Sequence, residues 1–330
     1  MGRKNNVMCE YLARPDVFAD FLNAGYFRGE KKILPEELTD CSQVSYDKDS
    51  GAKSGERSRD VVKARCKGTR YAIIGIENQE LVHYAMPFRC MEYDVREYRK
   101  QLRILRQRNS KEENRRLSSE EFVSGLSRTD KLKPVVTIVF YHGTKKYDGC
   151  KNLHDMLDLE GENKIFSPYV ADYKMNLICP DDINEETCET GLRDLIGFLK
   201  CREDKKAIQE YCKCNAERIK MMDEDTFDTI TEMINSKELL KNKEKYREGE
   251  RGTINMCKAM EDWAEDLRTE GKAEGKAEGK TEGLLEGVKA VIEICKELGA
   301  TQEEVLLKIS EKFLFSKQEA GMYVEKYWHQ

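Results

Sequence analysis

The chain has 330 residues, 36% of them charged and 39% hydrophobic, and carries a formal net charge of −5. That length suits one large domain or two ordinary ones, and a charged share well above the usual quarter fits long solvated helices around a modest core. The negative balance excludes a global basic field, so nucleic acid would need a local patch, and no apolar run approaches the length of a membrane span.

The first residues, Met1-Gly-Arg-Lys-Asn-Asn, are polar and lack an apolar leader. Twelve cysteines are irregularly spaced, which points to reduced thiols in a cytoplasmic protein. Cys212-x-Cys214 has no second Cys or His pair at zinc-site spacing, so thiols on a helix are expected there. Residues 7–27 read as a helix broken at Pro15, with Val17, Phe18, Phe21 and Leu22 on one face and Gly25 as the stop. Residues 40–58 are rich in Ser, Asp, Lys and Gly and read as a loop.

Residues 57–79 then form two strands around Lys67-Gly68-Thr69. If the loop is Gly68-Thr69, Lys67 faces Arg70 and Asp60 faces Glu77 across the hairpin, Cβ atoms about 4.5–5.5 Å apart. Like charges so opposed are destabilising, and a divalent cation between them removes the objection, since hard oxygen ligands suit Mg²⁺. Gln79 points to the same face as Glu77. The plainer alternative sets both carboxylates in solvent at strand ends, partnered by Arg or Lys. Arg57, Arg59, Lys63 and Arg65 share the opposite face with Val61. That basic row covers an adjacent element, contacts phosphate or marks a charged edge strand.

A helix is expected from about Pro87 to Arg108, with Phe88, Met91, Val95, Tyr98, Leu102 and Leu105 as its spaced apolar residues. Its polar face carries Arg89, Arg96, Arg99, Lys100, Arg103, Arg106 and Arg108, the densest basic stretch. Arg96, Arg99, Arg103 and Arg106 are the best candidates for a DNA backbone patch. The other reading is a solvated face paired with Glu92, Asp94 and Glu97. Residues 109–130 read as a loop, 134–141 as a buried strand ended by His142-Gly143, and 171–179 as a last strand. His142 could face the site, although a strand-end histidine is more often satisfied by backbone; His154 is expected in a loop or helix start. Residues 185–246 have helical period. Residues 270–287 repeat Glu-Gly-Lys every four, giving no Glu–Lys pair at helical spacing. Each glycine costs a helix about 0.8–1 kcal/mol, so a semi-flexible helical linker is expected. Amphipathic helices follow over 284–298 and 302–328.

The hairpin resembles the PD-(D/E)XK nuclease superfamily, whose core is an Asp on one strand and Glu-x-Lys on the next. More specifically, the chain is similar to the Rpn family of recombination-promoting, transposase-like nucleases. The matching blocks are 59–63, 74–79, 85–94, 132–137, 140–143, 153–157 and 172–178, in order, and the likeness covers roughly residues 7–200. Gln79 stands at the superfamily's lysine position, a departure that removes a cation.

The resemblance implies an α/β fold: a restriction-endonuclease-like mixed central sheet flanked by helices, with a helical C-terminal region. It implies a nuclease domain over 1–200; periodicity and composition beyond it divide the chain into a helical extension over 201–269, the linker over 270–287 and a small helical region over 288–330, where a homodimer would form through the C-terminal helices. It further implies a Mg²⁺-dependent DNA endonuclease of recombination or mobile elements. Asp60 and Glu77 would hold Mg²⁺ or another divalent cation with the Asn78 backbone carbonyl, and Gln79 would position water or a phosphate oxygen. A first-helix carboxylate near the metal would be Glu10 or Asp20. The alternative is a nuclease-fold module that binds DNA or a protein without cutting.

Overall fold

A computed structural model describes residues 3–41, 44–45, 57–58, 60–67, 70–111, 118–248 and 252–328. It divides into two compact units, 1–260 and 261–330. The first is built on a five-stranded sheet in spatial order β1 (Leu38–Asp40), β2 (Val61–Lys67), β3 (Arg70–Gln79), β4 (Val135–Tyr141), β5 (Asn176–Ile178). β1, β2 and β3 pair antiparallel, whereas β3, β4 and β5 pair parallel, which makes the sheet mixed as expected. Two further two-stranded pairs, Val44–Ser45 with Arg57–Ser58 and Arg247–Glu248 with Thr253–Ile254, lie outside it.

The β2–β3 hairpin has the expected register: Lys67 pairs with Arg70 and Val61 with Ile76. The turn residues Gly68 and Thr69 lie outside the described residues. β2 is not an edge strand, because β1 pairs along its other side. Lys63, 3% exposed, pairs with Asp40, and Arg65 reaches Glu37 at 2.9 Å. These members of the basic row therefore cover a neighbouring strand; Arg59 lies outside the described residues.

Alternation along the parallel strands assigns the sheet's two faces. Phe140 meets Phe21 edge-on with ring centroids 5.0 Å apart, so its face turns to the N-terminal helices α1 (Arg3–Leu12) and α2 (Pro15–Phe21). Val139 and Tyr141 cluster with Met86 and Cys90, so the other face turns to α3 (Met86–Lys111). After α2 the chain continues as a π-helical turn over Leu22–Tyr26, so Gly25 does not stop the helix. A Cβ there would come within 3.2 Å of Ile178, so the glycine serves close packing. The chain turns instead at Arg28 and Gly29, both with positive φ.

α3 buries only part of the face its apolar spacing predicts: Tyr98 packs against Val62, Ile73 and Val135. Phe88 and Val95 are 44% and 42% exposed, while Met86, Cys90, Tyr93 and Asp94 are buried. The inner face is partly polar. The Asp94 carboxylate accepts hydrogen bonds from Thr137 Oγ1 and Tyr173 Oη, both at 2.6 Å. Tyr98 Oη accepts the Val135 N–H at 3.2 Å, and Gln101 bonds both backbone groups of Lys133. These ties hold α3 in register against β4 and β5. Within the loop expected over 109–130, a short α4 (Ser119–Ser124) forms on a capping box between Ser118 and Glu121.

The helices α5 (Leu192–Cys201), α6 (Lys205–Cys214), α7 (Ala216–Ile219), α8 (Glu224–Met233) and α9 (Lys237–Lys241) complete the first unit, with α8 packed on α1 and α5. None of the twelve cysteines forms a disulfide, and Cys212 and Cys214 lie on α6. One long helix, α10 (Met256–Glu297), runs through the Glu-Gly-Lys repeat. A Cβ at Gly271, Gly275, Gly279 or Gly283 would meet nothing described within 4 Å. The second unit closes on Val288, Ile292 and Cys295 of α10, Val305 and Ile309 of α11 (Gln302–Phe313), and Ala320 and Val324 of α12 (Lys317–Trp328).

Asp20, one of the two first-helix candidates, is 6% exposed and structural. Its carboxylate accepts the backbone N–H of Glu189 and Thr190 and the Thr190 hydroxyl at 2.6–3.1 Å, tying α2 to the approach to α5. Asp20→Ala is expected to cost about 2–4 kcal/mol in urea unfolding, because it strips buried donors of a charged acceptor. A variant as stable as the parent would remove that structural role.

Candidate active site

The site grows from the point where the β2–β3 ladder stops. Ile73 N–H bonds Pro134 O and Gln79 O accepts from His142 N–H, so the odd residues of β3 turn their backbone groups to β4. Even residues therefore turn theirs to β2, whose last pair is Val61 with Ile76. Asn78 is the first such residue beyond that pair. Its N–H finds a side chain instead of a strand: Asp60 Oδ2 accepts it at 2.7 Å. A strand residue presents its N–H and C=O on the same edge, so the Asn78 carbonyl opens beside Asp60.

Glu77 lies one residue earlier and points to the opposite face, the side of α3. It is fully buried, and Asp60 is 6% exposed. The reading that leaves these carboxylates in solvent at strand ends is thereby overturned. Arg89, on the first turn of α3, places Nη2 3.1 Å from Glu77 Oε2. Its Nε donates to Tyr93 Oη at 2.9 Å, and its guanidinium lies 5.6 Å from the Tyr93 ring centre. Burial works against the Arg89 charge; Glu77, Tyr93 and Asp60 outweigh it and leave the group more basic than usual.

From the other side α1 supplies amide and thiol, not carboxylate. The Asn5 side chain favours the charged form of Asp60. Asn78 Nδ2 donates to Cys9 Sγ at 3.3 Å. Glu10, the second first-helix candidate, is exposed. Burial pushes the Asp60 carboxyl above its ordinary range, against the Asn78 N–H, Arg89 and Asn5, which all favour its charge. Burial also pushes the Cys9 thiol up to about 12, with Asp60 adding to the effect.

The donor set fits a hard divalent cation: two carboxylates from adjacent strands and one backbone carbonyl. Among the described residues no cluster of three or more His, Cys, Asp or Glu side chains gathers around one point. An ion here would thus fill its remaining positions with water or phosphate oxygen. Gln79, half-buried, is on the Glu77 face of β3.

Of the four arginines expected to face DNA, Arg96 is half-buried and 3.8 Å from Glu92, and Arg106 donates to Ser124 O at 3.1 Å. Arg99 and Arg103 are exposed, and no described residue pairs with them. They lie about 15 and 21 Å beyond Arg89 along the α3 axis. Arg89 itself turns inward. Sequence reasoning grouped it with the polar face, and the one signal for its role was its place on the first turn after the Glu77 strand.

The mixed sheet with an Asp and a Glu at the open end of its central hairpin is the architecture implied by the nuclease resemblance. Residues 62–209 match the model of a family described as "Putative transposase, YhgA-like", which falls in the Rpn-type group of PD-(D/E)XK proteins. The match begins two residues after Asp60 and takes in Glu77, Asn78, Gln79 and Arg89. The comparisons with curated proteins and with solved structures find no match.

His142 follows β4 and is 1% exposed. Its ring nitrogens have no hydrogen-bond partner among the described residues, so it is not the backbone-satisfied strand-end histidine. Burial, with Arg202 adding to it, pulls the imidazole down to about 4. Below pH 6.5 the unfolded chain takes up a proton that the folded one refuses, so stability falls as pH drops from 6.5 to 4 and then levels. The effect should reach about 3 kcal/mol. His142→Phe should flatten that part of the unfolding free energy against pH; an unchanged slope would assign the loss to other groups.

Proposed function

We propose that the protein is a divalent-metal-dependent DNA endonuclease acting in recombination or mobile-element biology. The observation that carries the reading is the burial of Asp60, just before β2, and of Glu77 on β3, with the Asn78 backbone N–H held by Asp60. The match to a transposase family supports DNA as the substrate.

Asp60 and Glu77 would hold the ion, Mg²⁺ by the hardness of the donors, with the Asn78 carbonyl as third ligand. Such an ion supplies an acid that makes water nucleophilic near neutral pH and draws charge off the scissile phosphate. Gln79 hydrogen-bonds that water or a phosphate oxygen and fixes its approach. It cannot serve as a base, because an amide does not titrate in this range. Arg99 and Arg103 contact phosphates away from the cut. The C-terminal unit, with Leu298, Leu307 and Leu314 at least half exposed, is where a homodimer would form.

A second reading, a nuclease-fold module that binds without cutting, has its own support. Glu77 is already paired with Arg89, and Gln79 lacks the charge of the superfamily's lysine.

Asp60→Asn keeps an oxygen for the Asn78 N–H while removing the charge. Mg²⁺-dependent nicking of supercoiled plasmid should fall by about a thousandfold or more, as expected for loss of a metal ligand. Thermal stability without added metal should hold or rise by about 2–4 °C at pH 7–8, since a buried charge that burial disfavours is gone. A variant that nicks like the parent would refute the placement of the site; one that unfolds would make Asp60 structural. For the phosphate contacts, Arg99→Ala with Arg103→Ala should lower the slope of log binding constant against log salt by about 2. An unaltered slope would return α3 to a solvated face.

A further inference from the structure

We propose that Arg89 is a phosphate-binding catalytic residue of this cleavage reaction, and that it competes with the divalent cation for Glu77. The inference rests on the nuclease reading and extends it to a residue outside the Asp, Glu and Gln set.

Position comes first. Arg89 is on the first turn of α3, and α3 is pinned to β4 and β5 through Asp94, Tyr98 and Gln101. The guanidinium is therefore delivered to the open end of β3, where it meets Glu77 at 3.1 Å and is felt by Asp60. It has one side in the protein and one side out: the side chain is 28% exposed, whereas Glu77 has no exposure. Tyr93 takes Nε and one Nη takes Glu77. A guanidinium carries five N–H donors in a fixed fork, so donors remain for a phosphate oxygen.

Charge then gives the reason. Asp60 and Glu77 are both negative when ionised, and a divalent cation cancels them. With Gln79 neutral, the loaded site would carry no net charge toward a phosphodiester. Arg89 makes it positive. The same charge makes Arg89 and the cation rivals for Glu77, since both are attracted to its carboxylate and repel one another. Cation binding therefore loosens the Arg89–Glu77 pair, and the released fork meets the phosphate where charge develops in the transition state.

The test uses the full chain with Mn²⁺ as probe in calorimetry and supercoiled plasmid as substrate. Arg89→Gln keeps a donor for Glu77 and removes the charge. It should bind Mn²⁺ about tenfold more tightly than the parent, and at saturating Mn²⁺ it should nick about a hundredfold more slowly. Arg89→Lys, which keeps the charge without the fork, should recover part of the rate and bind Mn²⁺ close to the parent's affinity. Unchanged Mn²⁺ affinity in Arg89→Gln, or nicking at the parent's rate under saturation, would overturn the proposal.

Should Arg89→Gln fail to fold, the parent carries the test. The side-chain Nε–Hε resonance of Arg89, identified by its loss in Arg89→Lys, should shift as Mg²⁺ saturates the site. A resonance that stays put overturns the exchange. A parent that binds Mn²⁺ but cuts nothing would sink the nuclease reading and the phosphate role together. An active parent whose Arg89→Gln variant is equally active sinks Arg89 alone.

Discussion

Two carboxylates out of water, one on the central strand and one on its neighbour, set the terms for the rest of this fold. Burying an ionised carboxylate is expensive unless it is paired and hydrogen-bonded, and two on adjacent strands add their repulsion. The chain meets that cost from three directions. The Asn78 backbone gives Asp60 an N–H where the β2 strand has run out. α1 brings the Asn5 amide against the same group. α3 brings a guanidinium to Glu77. An apolar pair of similar volume would pack here at less cost. The carboxylates are better understood as a site supported by the fold than as support for it.

The neighbouring elements are stiff in a way that serves this end of the sheet. The Asp94 carboxylate, with Thr137 and Tyr173 as donors at 2.6 Å, locks α3 to β4 and to the segment that leads into β5. On the opposite face Phe21 packs on Phe140, and Asp20 anchors α2 to the start of α5. The N-terminal helices and α3 thus hold the open end of β3 from both sides. Arg89, Asn5 and Cys9 reach the site because those helices cannot slide.

The hairpin was legible because two independent signals agreed. Alternation along 61–67 and 70–76 and a two-residue turn both require Lys67 opposite Arg70, the register the strands adopt down to Val61 opposite Ile76. The C-terminal helices were legible from ordinary amphipathic spacing, since their cluster is apolar throughout. α3 was misread for the converse reason. Its inner face contains Asp94, Gln101 and Asn109 beside Tyr98, so apolar spacing found Tyr98 but also picked Phe88 and Val95, which face water. With the face misassigned, Arg89 was one of seven cations on a polar stripe and its inward turn was invisible. Asp20 was read as a candidate beside the metal, because the backbone N–H groups it binds, some 170 residues away, leave no mark on the local pattern. Local pattern carries neither contact.

The same electrostatics ties stability to occupancy. Groups that are costly to bury without an ion are relieved when one binds, so a cation that prefers the folded site stabilises it by mass action, about 2.7 kcal/mol at a hundred times its dissociation constant. On the proposed reading Arg89 would set how much of that is realised. The guanidinium already supplies one positive charge at Glu77, so a cation gains only the difference between its own pairing with the carboxylates and the pairing it displaces. A chain with a net charge of −5 has little long-range attraction for nucleic acid. On the proposed reading any attraction would be local and conditional: the end of β3 would stay acidic until an ion cancelled Asp60 and Glu77, and only then would the cation on α3 face a phosphate without an acidic neighbour to hold it back. On the proposed reading the ion would serve both as a reagent and as the change of sign that admits the substrate.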